Sequence, residues 1–355
     1  MKKSLIALAV LAASGAAMAQ SSVTLNGRVG VWVGTLEQGV GQQSQTVLQN
    51  GGLTGSRWAL NGTEDLGSGL KAMFKLENRY NIDDGKSVGG FSGDAYVALA
   101  GGFGTVKLGR TYTAFDDARV LANSQNVFDS DLTPTGAVFK ADVKQVTNVG
   151  VANGTTGADY TSRAPNGIRY ETPKMSGFGA ALTYAFGEDK SATTDASNLV
   201  SLSLNYAAGP LAVSYGYQEE KFAGTAANVT AGTAGTTSNK YNALSASYNF
   251  GMAAVSAGYQ KRAGTAATGD DTGYTLGVTA PLGSAMNVSF GYAKEDTEIA
   301  GVTTAKNSGW ALGLGYSMSK RTTLFAGFQD VSQDNAAGTE VGKQRILAAG
   351  LRHNF

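Results

Sequence analysis

The sequence predicts an all-β chain, a transmembrane antiparallel β-barrel of 16 strands. Segment after segment alternates apolar residues with serine, asparagine or glycine, the period of a strand with one apolar face. Tight connections alternate with long polar ones, as in barrels with short turns at one rim and long loops at the other. Glycine stands at 49 of 355 residues, about twice the ordinary ~7%, with 15 tyrosines, 14 phenylalanines and only 5 prolines. Many strands joined by tight turns demand that composition.

The chain opens with Lys2 and Lys3, an apolar run from Leu5 to Ala13, and the small-x-small tripeptide Ala17-Met18-Ala19. That run is too short to span a bilayer, and the pattern is that of a cleaved secretory signal over 1–19. Residues 20–355 then form one barrel domain. Removing 1–19 takes two lysines and no acid, leaving 26 basic residues against 27 acidic ones. Such balance argues against nucleic acid as a partner. With no cysteine there is no disulfide framework and no thiolate metal site, and no cofactor is expected.

Strands are expected at 23–35, 56–64, 70–81, 94–100, 105–113, 163–172, 179–187, 198–207, 211–222, 240–249, 252–262, 272–280, 286–297, 308–317, 323–332 and 344–355. Leu202, Leu204 and Tyr206 oppose Ser201, Ser203 and Asn205; Leu244, Ala246, Tyr248 and Phe250 oppose Ser245, Ser247 and Asn249. A water-soluble sandwich also alternates. The aromatic endings of these apolar faces (Tyr206, Tyr217, Phe250, Tyr292, Tyr316) favour a membrane girdle. Seven tight turns, at 65–69, 101–104, 174–179, 208–210, 249–251, 281–285 and 317–321, and eight longer loops join the sixteen strands, with both termini on the side of the tight turns. A barrel this wide holds an aqueous lumen unless something fills it. The longest connection, 114–162, is the candidate filler.

Parity assigns charges to the water side. Val29 and Val31 outward put Arg28 inward; Trp58 and Leu60 outward put Arg57 inward. Lys71, Lys75, Glu77 and Arg79 share a face opposite Phe74 and Leu76, and Arg163 and Arg169 share one opposite Ile168 and Tyr170. A one-residue slip would place such charges in hydrocarbon at ~2–4 kcal/mol each. Arg110 shares parity with Val106 and Leu108, so either it lies beyond the hydrocarbon or a bulge intervenes.

Several stretches are similar to the Gram-negative general porins of β-proteobacteria, the family of neisserial, Bordetella, Burkholderia and Comamonas porins. They are 21–27 (SSVTLNG), 56–67 (SRWALNGTEDLG), 69–72 (GLKA), 103–110 (FGTVKLGR), 166–170 (NGIRY) and 351–355 (LRHNF). The resemblance implies an outer-membrane general-diffusion channel for ions and small hydrophilic solutes, built as a homotrimer among outer-membrane lipid and lipopolysaccharide. It implies that 114–162 is an external loop folded into the lumen as a constriction, and that the barrel-assembly machinery reads Phe355. It also implies wall arginines facing acids on that loop. Arg57 and Arg163 fall on the motif positions, with Arg28, Arg79, Arg169 and Lys75 as further basic candidates. Asp116, Asp117, Asp129 and Asp131 are the acidic candidates. One position that is basic in some relatives reads Gly93-Asp94 here, which weakens the expectation of strong anion selectivity.

Rival readings fare worse. A barrel enzyme needs a base beside a nucleophile or water, and the single histidine, His353, has lipid-facing parity. A closed structural or adhesin barrel should carry a plug or an external domain, which the sequence lacks. A sugar-specific channel should carry a lumenal aromatic ladder, but most aromatics take the lipid-facing parity, and Trp32 and Tyr112 as exceptions do not make a ladder. Asp83-Asp84 and Asp270-Asp271 permit divalent ions without demanding them.

Overall fold

The computed structural model describes residues 22–125, 127–128, 132–137, 160–192, 195–222, 237–264 and 269–355; the expected signal segment 1–19 lies outside them. The strands are β1 (Ser22–Gln38), β2 (Gln45–Asn50), β3 (Arg57–Gly67), β4 (Leu70–Arg79), β5 (Ala95–Gly101), β6 (Gly104–Tyr112), β7 (Arg163–Glu171), β8 (Phe178–Phe186) and β9 (Asn198–Ala208). They continue as β10 (Leu211–Phe222), β11 (Thr237–Asn249), β12 (Ala254–Ala263), β13 (Asp270–Leu282), β14 (Met286–Ile299), β15 (Val302–Ser317), β16 (Thr322–Asn335) and β17 (Glu340–Asn354). Every pairing is antiparallel between neighbours, and β1 pairs with β17 to close the sheet.

Seventeen segments fill sixteen positions. β3 pairs with the first part of β1 (Ser22↔Thr63 to Arg28↔Arg57) and β2 with the rest (Val31↔Asn50 to Leu36↔Gln45), so the two lie end to end as one interrupted strand. β2 was not expected. Its six residues carry no clean alternation and run into Gly51-Gly52, a turn signal. Other strands run further toward the long connections than expected; β15 begins at Val302 rather than 308 because Thr303, Thr304, Lys306 and Asn307 mute the hydropathy contrast.

Alternation maps onto the two sides of the wall. Leu244 is 53% exposed and the adjacent Ser245 1%. In water that would be inside out; around a barrel it is the lipid band. Aromatic pairs border the band, Phe178–Tyr206 (4.6 Å) and Tyr248–Phe250 (4.6 Å) near the tight turns, Tyr259–Tyr274 (5.3 Å) and Trp310–Phe328 (5.1 Å) toward the opposite rim.

The inward serines and threonines have a second task. The chain leaving β6 turns inside and forms helix α1 (Asp116–Ala122), packed on β10–β12. Backbone groups inside a barrel have no ladder and need other partners. Ala114 N donates to Thr183 Oγ1 (3.1 Å) and Phe115 N to Ser201 Oγ (2.7 Å). Ser256 Oγ donates to Ala122 O (2.9 Å) and accepts from Gln125 N (3.2 Å), clamping the helix end. Further on, Gln329 Nε2 donates to Thr133 O (2.8 Å), so this segment reaches β16 across the lumen. Beneath it lie two apolar clusters, Phe115, Ala118, Tyr160 and Tyr241, and Val127 and Leu132 against Trp32, Leu36, Phe325 and Ile346.

The β1–β17 seam is close-packed. Gly27 and Phe355 exchange both backbone hydrogen bonds at 3.0 Å. A Cβ on Gly34 would run into the Leu347 carbonyl oxygen and the Ala348 Cα. Gly34→Ala is therefore expected to lower stability by about 1–3 kcal/mol through overpacking, read as a reduced urea midpoint of the folded barrel. Gly55→Ala, with open space around its Cβ, is the control; equal midpoints for both would remove the seam's tightness as a determinant.

Candidate pore constriction

Register brings three arginines into one row. Arg28 stands opposite Arg57, and Arg57 opposite Arg79, on three neighbouring strands. Like charges directly opposite destabilise a sheet, so something must hold them. Glu77, two residues from Arg79 and 4% exposed, takes Arg57 Nη1 at 3.4 Å, Arg79 Nε at 3.2 Å and Lys75 Nζ at 3.1 Å. Lys75 Nζ also reaches Asp94 at 2.8 Å, and Asp94 accepts from Arg163 Nε at 3.4 Å. The Arg163 guanidinium lies over the Tyr112 ring at 3.5 Å, a cation–π contact. Four cations thus share two carboxylates.

The interrupted strand holds Arg57. Its Nε donates to Gly55 O (3.3 Å) and its Nη2 to Thr54 Oγ1 (2.9 Å). A cavity of about 490 Å3 opens before the row, lined by Arg28, Arg57, Lys75, Tyr112 and Arg352 together with Glu77 and Thr54, with Leu53 and Phe128 also on it. A second, of about 440 Å3, is lined by Asn123, Thr279, Asn287 and Thr323. Leu53, Phe128 and Arg352 line both, so they stand where the two lumenal spaces meet.

Of the basic residues picked by parity, Arg28, Arg57, Arg79 and Lys75 come together, and Arg163 joins through Asp94. Arg169 does not. It donates to Asp117 (Nη2, 3.0 and 3.1 Å) and Glu171 (Nε, 2.7 Å), in a network that includes Lys107 Nζ on Glu171 (2.7 Å) and Ser203 Oγ on Asp117 (2.7 Å). The parity that paired Arg163 with Arg169 is broken. Gly109 opposes Gly167 but Thr111 opposes Ala164, so Pro165 and Asn166 (φ 52°) together face Arg110. This bulge settles Arg110 as well. Its guanidinium donates to the carbonyls of Ser92, Gly93 and Arg163.

Two loop acids were expected opposite the arginine row and are elsewhere. Asp116, 2% exposed, accepts from Arg119 Nε (2.9 Å) and the Tyr160 hydroxyl (2.5 Å), because the first turn of α1 aims it at its own third neighbour. Asp117 is taken by Arg169. Asp129 and Asp131 lie outside the described residues. Trp32 is buried under the inserted segment and Tyr112 carries Arg163, so they form no ladder. His353 Nδ1 lies 3.0 Å from Thr322 Oγ1.

Sequence reasoning missed Leu53, Phe128 and Arg352 as lining residues. Parity opposite Leu351 could have found Arg352; nothing in the glycine-rich 51–56 signalled Leu53. One member of each acidic pair is held in an ion pair. Lys86 Nζ sits 2.8 Å from Asp84 and holds its carboxyl below the usual range, and Asp271 is ion-paired with the buried Arg262. Among the described residues no three acids or histidines cluster to hold a metal.

The profile described as Gram-negative porin matches residues 5–336. The chain belongs to that family. This porin is 41% identical over 234 residues to outer membrane porin protein 32 of Delftia acidovorans, covering 63% of this chain and 61% of that one. It is 30% identical over 227 residues to major outer membrane protein P.IB of Neisseria meningitidis serogroup B, covering 61% and 58%. The matched region thus spans about three-fifths of these relatives' length. Among solved structures it resembles the anion-selective porin from Comamonas acidovorans, with TM-score 0.76 and 30% identity over 95% of this chain and 100% of that one. The relatives are outer-membrane proteins, and the family places this porin in the outer membrane.

Proposed function

We propose that this porin forms a water-filled passage for ions and small hydrophilic solutes, with a preference for anions set by Arg28, Arg57, Arg79 and Lys75. The observation that carries the preference is that Arg57, Arg79, Lys75 and Arg163 share only Glu77 and Asp94, with Arg28 opposite Arg57, while Asp116 and Asp117 are engaged away from the row. Pores select by the charges that line them. The structural neighbour described as anion-selective supports the same sign. In this reading 114–162 is the constriction loop and the chain works as a homotrimer in outer-membrane lipid and lipopolysaccharide. Residues 1–19 are a removed signal, and Phe355, set against Gly27, is the residue read by the assembly machinery.

The test is single-channel recording in planar bilayers under a KCl gradient. Conductance in groups of three steps, with a zero-current potential of the sign that chloride permeation sets, is expected. A potassium-selective potential would sink the anion preference, and no conductance from folded protein would turn the reading to a closed barrel.

A further inference from the structure

The interruption between β2 and β3 is a built feature. Between Val31 and Arg28, strand β1 has two residues, whereas the partner chain has six, 51–56. Gly51 and Gly52 adopt φ of 100° and 88°, which only glycine holds without strain, and turn the chain off the wall. The gap in the ladder is closed locally. Gly51 N donates to Gly30 O (2.9 Å), and Ser56 Oγ accepts from Gly30 N (3.0 Å) and donates to Gly30 O (3.3 Å). The same six residues hold the Arg57 guanidinium and carry Leu53 to the junction of the two cavities. Leu53 is backed by Trp32, Phe325 and Leu132, and Phe128 meets Phe325 edge-on at 5.7 Å.

We propose that Leu53 and Phe128 form an apolar lip in the cavity of the arginine row, and that the passage thereby favours organic anions bearing an apolar or aromatic body over small anions of equal charge. This rests on the anion preference proposed above and names the solute class it serves. A carboxylate drawn to Arg57 and Lys75 leaves its carbon skeleton in the same 490 Å3 space as Leu53 and Phe128. Removing that skeleton from water is favourable in proportion to its area. A purely cationic slot would hold acetate and phenylacetate alike. A slot with one cationic and one apolar side distinguishes them, while remaining open enough for release.

The experiment uses the full porin in planar bilayers and reads the block of chloride current by phenylacetate and by acetate. Phenylacetate is expected to half-block at a concentration about fivefold or more below acetate, since a ring buries several carbons' worth of area. Leu53→Ser should bring the two half-block concentrations together, each read against that variant's own chloride current. Phe128→Ser, at a residue only partly buried, provides a second variant should loss of Leu53 disturb folding. Equal block by both acids in the unmodified channel would overturn the proposal. So would an undiminished difference in both variants while they remain chloride-selective. An unmodified channel without chloride preference in KCl alone fails earlier, and that result overturns the anion reading and the lip together.

Discussion

Arg57→Glu is expected to move the channel's zero-current potential from the chloride side toward the potassium side. The substitution changes the charge before the cavity by two units. At ~5 Å through water each unit of charge is worth ~0.8 kcal/mol, so two units disfavour chloride and favour potassium by ~1.6 kcal/mol each and alter the chloride-to-potassium ratio by roughly two orders of magnitude before screening. Arg57→Gln, changing one unit, should give a smaller shift of the same sign. The whole effect should fade in 1 M salt, where screening acts over ~3 Å, and be largest in 0.1 M, where it acts over ~10 Å. An unchanged potential for Arg57→Glu in dilute salt would mean that the row does not govern the passage.

Glu77→Gln should act on two properties in opposite directions. The glutamine keeps the shape but leaves Arg57, Lys75 and Arg79 without the carboxylate that lies within 3.4 Å of all three. The Arg28–Arg57–Arg79 row then repels itself across adjacent strands. Breaking a buried ion pair costs about 3–5 kcal/mol. With side chains 14%, 26% and 30% exposed, water screens part of that, and the low end is expected. The urea midpoint should fall and chloride preference should rise in the same variant, with added chloride recovering some stability. A barrel as stable as the parent, with the same zero-current potential, would show that Glu77 does not neutralise the row.

The basic wall was legible because strand parity is a local property. Leu76 beside Glu77, or Trp58 beside Arg57, is enough to say which side faces water. Parity fails where the count of residues fails. At Pro165-Asn166 the wall gains a residue, and Arg163 reaches Asp94 although the alternation that assigned it is interrupted. The break at 51–56 was illegible for the same reason, its glycines signalling only a turn. Direction within the inserted segment follows contacts 40 and more residues away, such as Tyr160 on Asp116. No periodicity reports those, so the acids could be named but not aimed.

The seam between β1 and β17 bears on how the molecule comes into being. Its paired residues, Arg28 with Asn354 through Gln38 with Gln344, are separated by more than 300 positions of sequence. Hairpins between the intervening strands can zip early, each on its neighbour, but the ring cannot shut until the most distant partners meet. Contacts of such separation make folding slow. Until they form, β1 and β17 each present an unpaired edge open to pairing with other chains. The interval between synthesis and closure is when this porin is most exposed to misassembly, and a helper that shields one of those two edges would protect the chain during it.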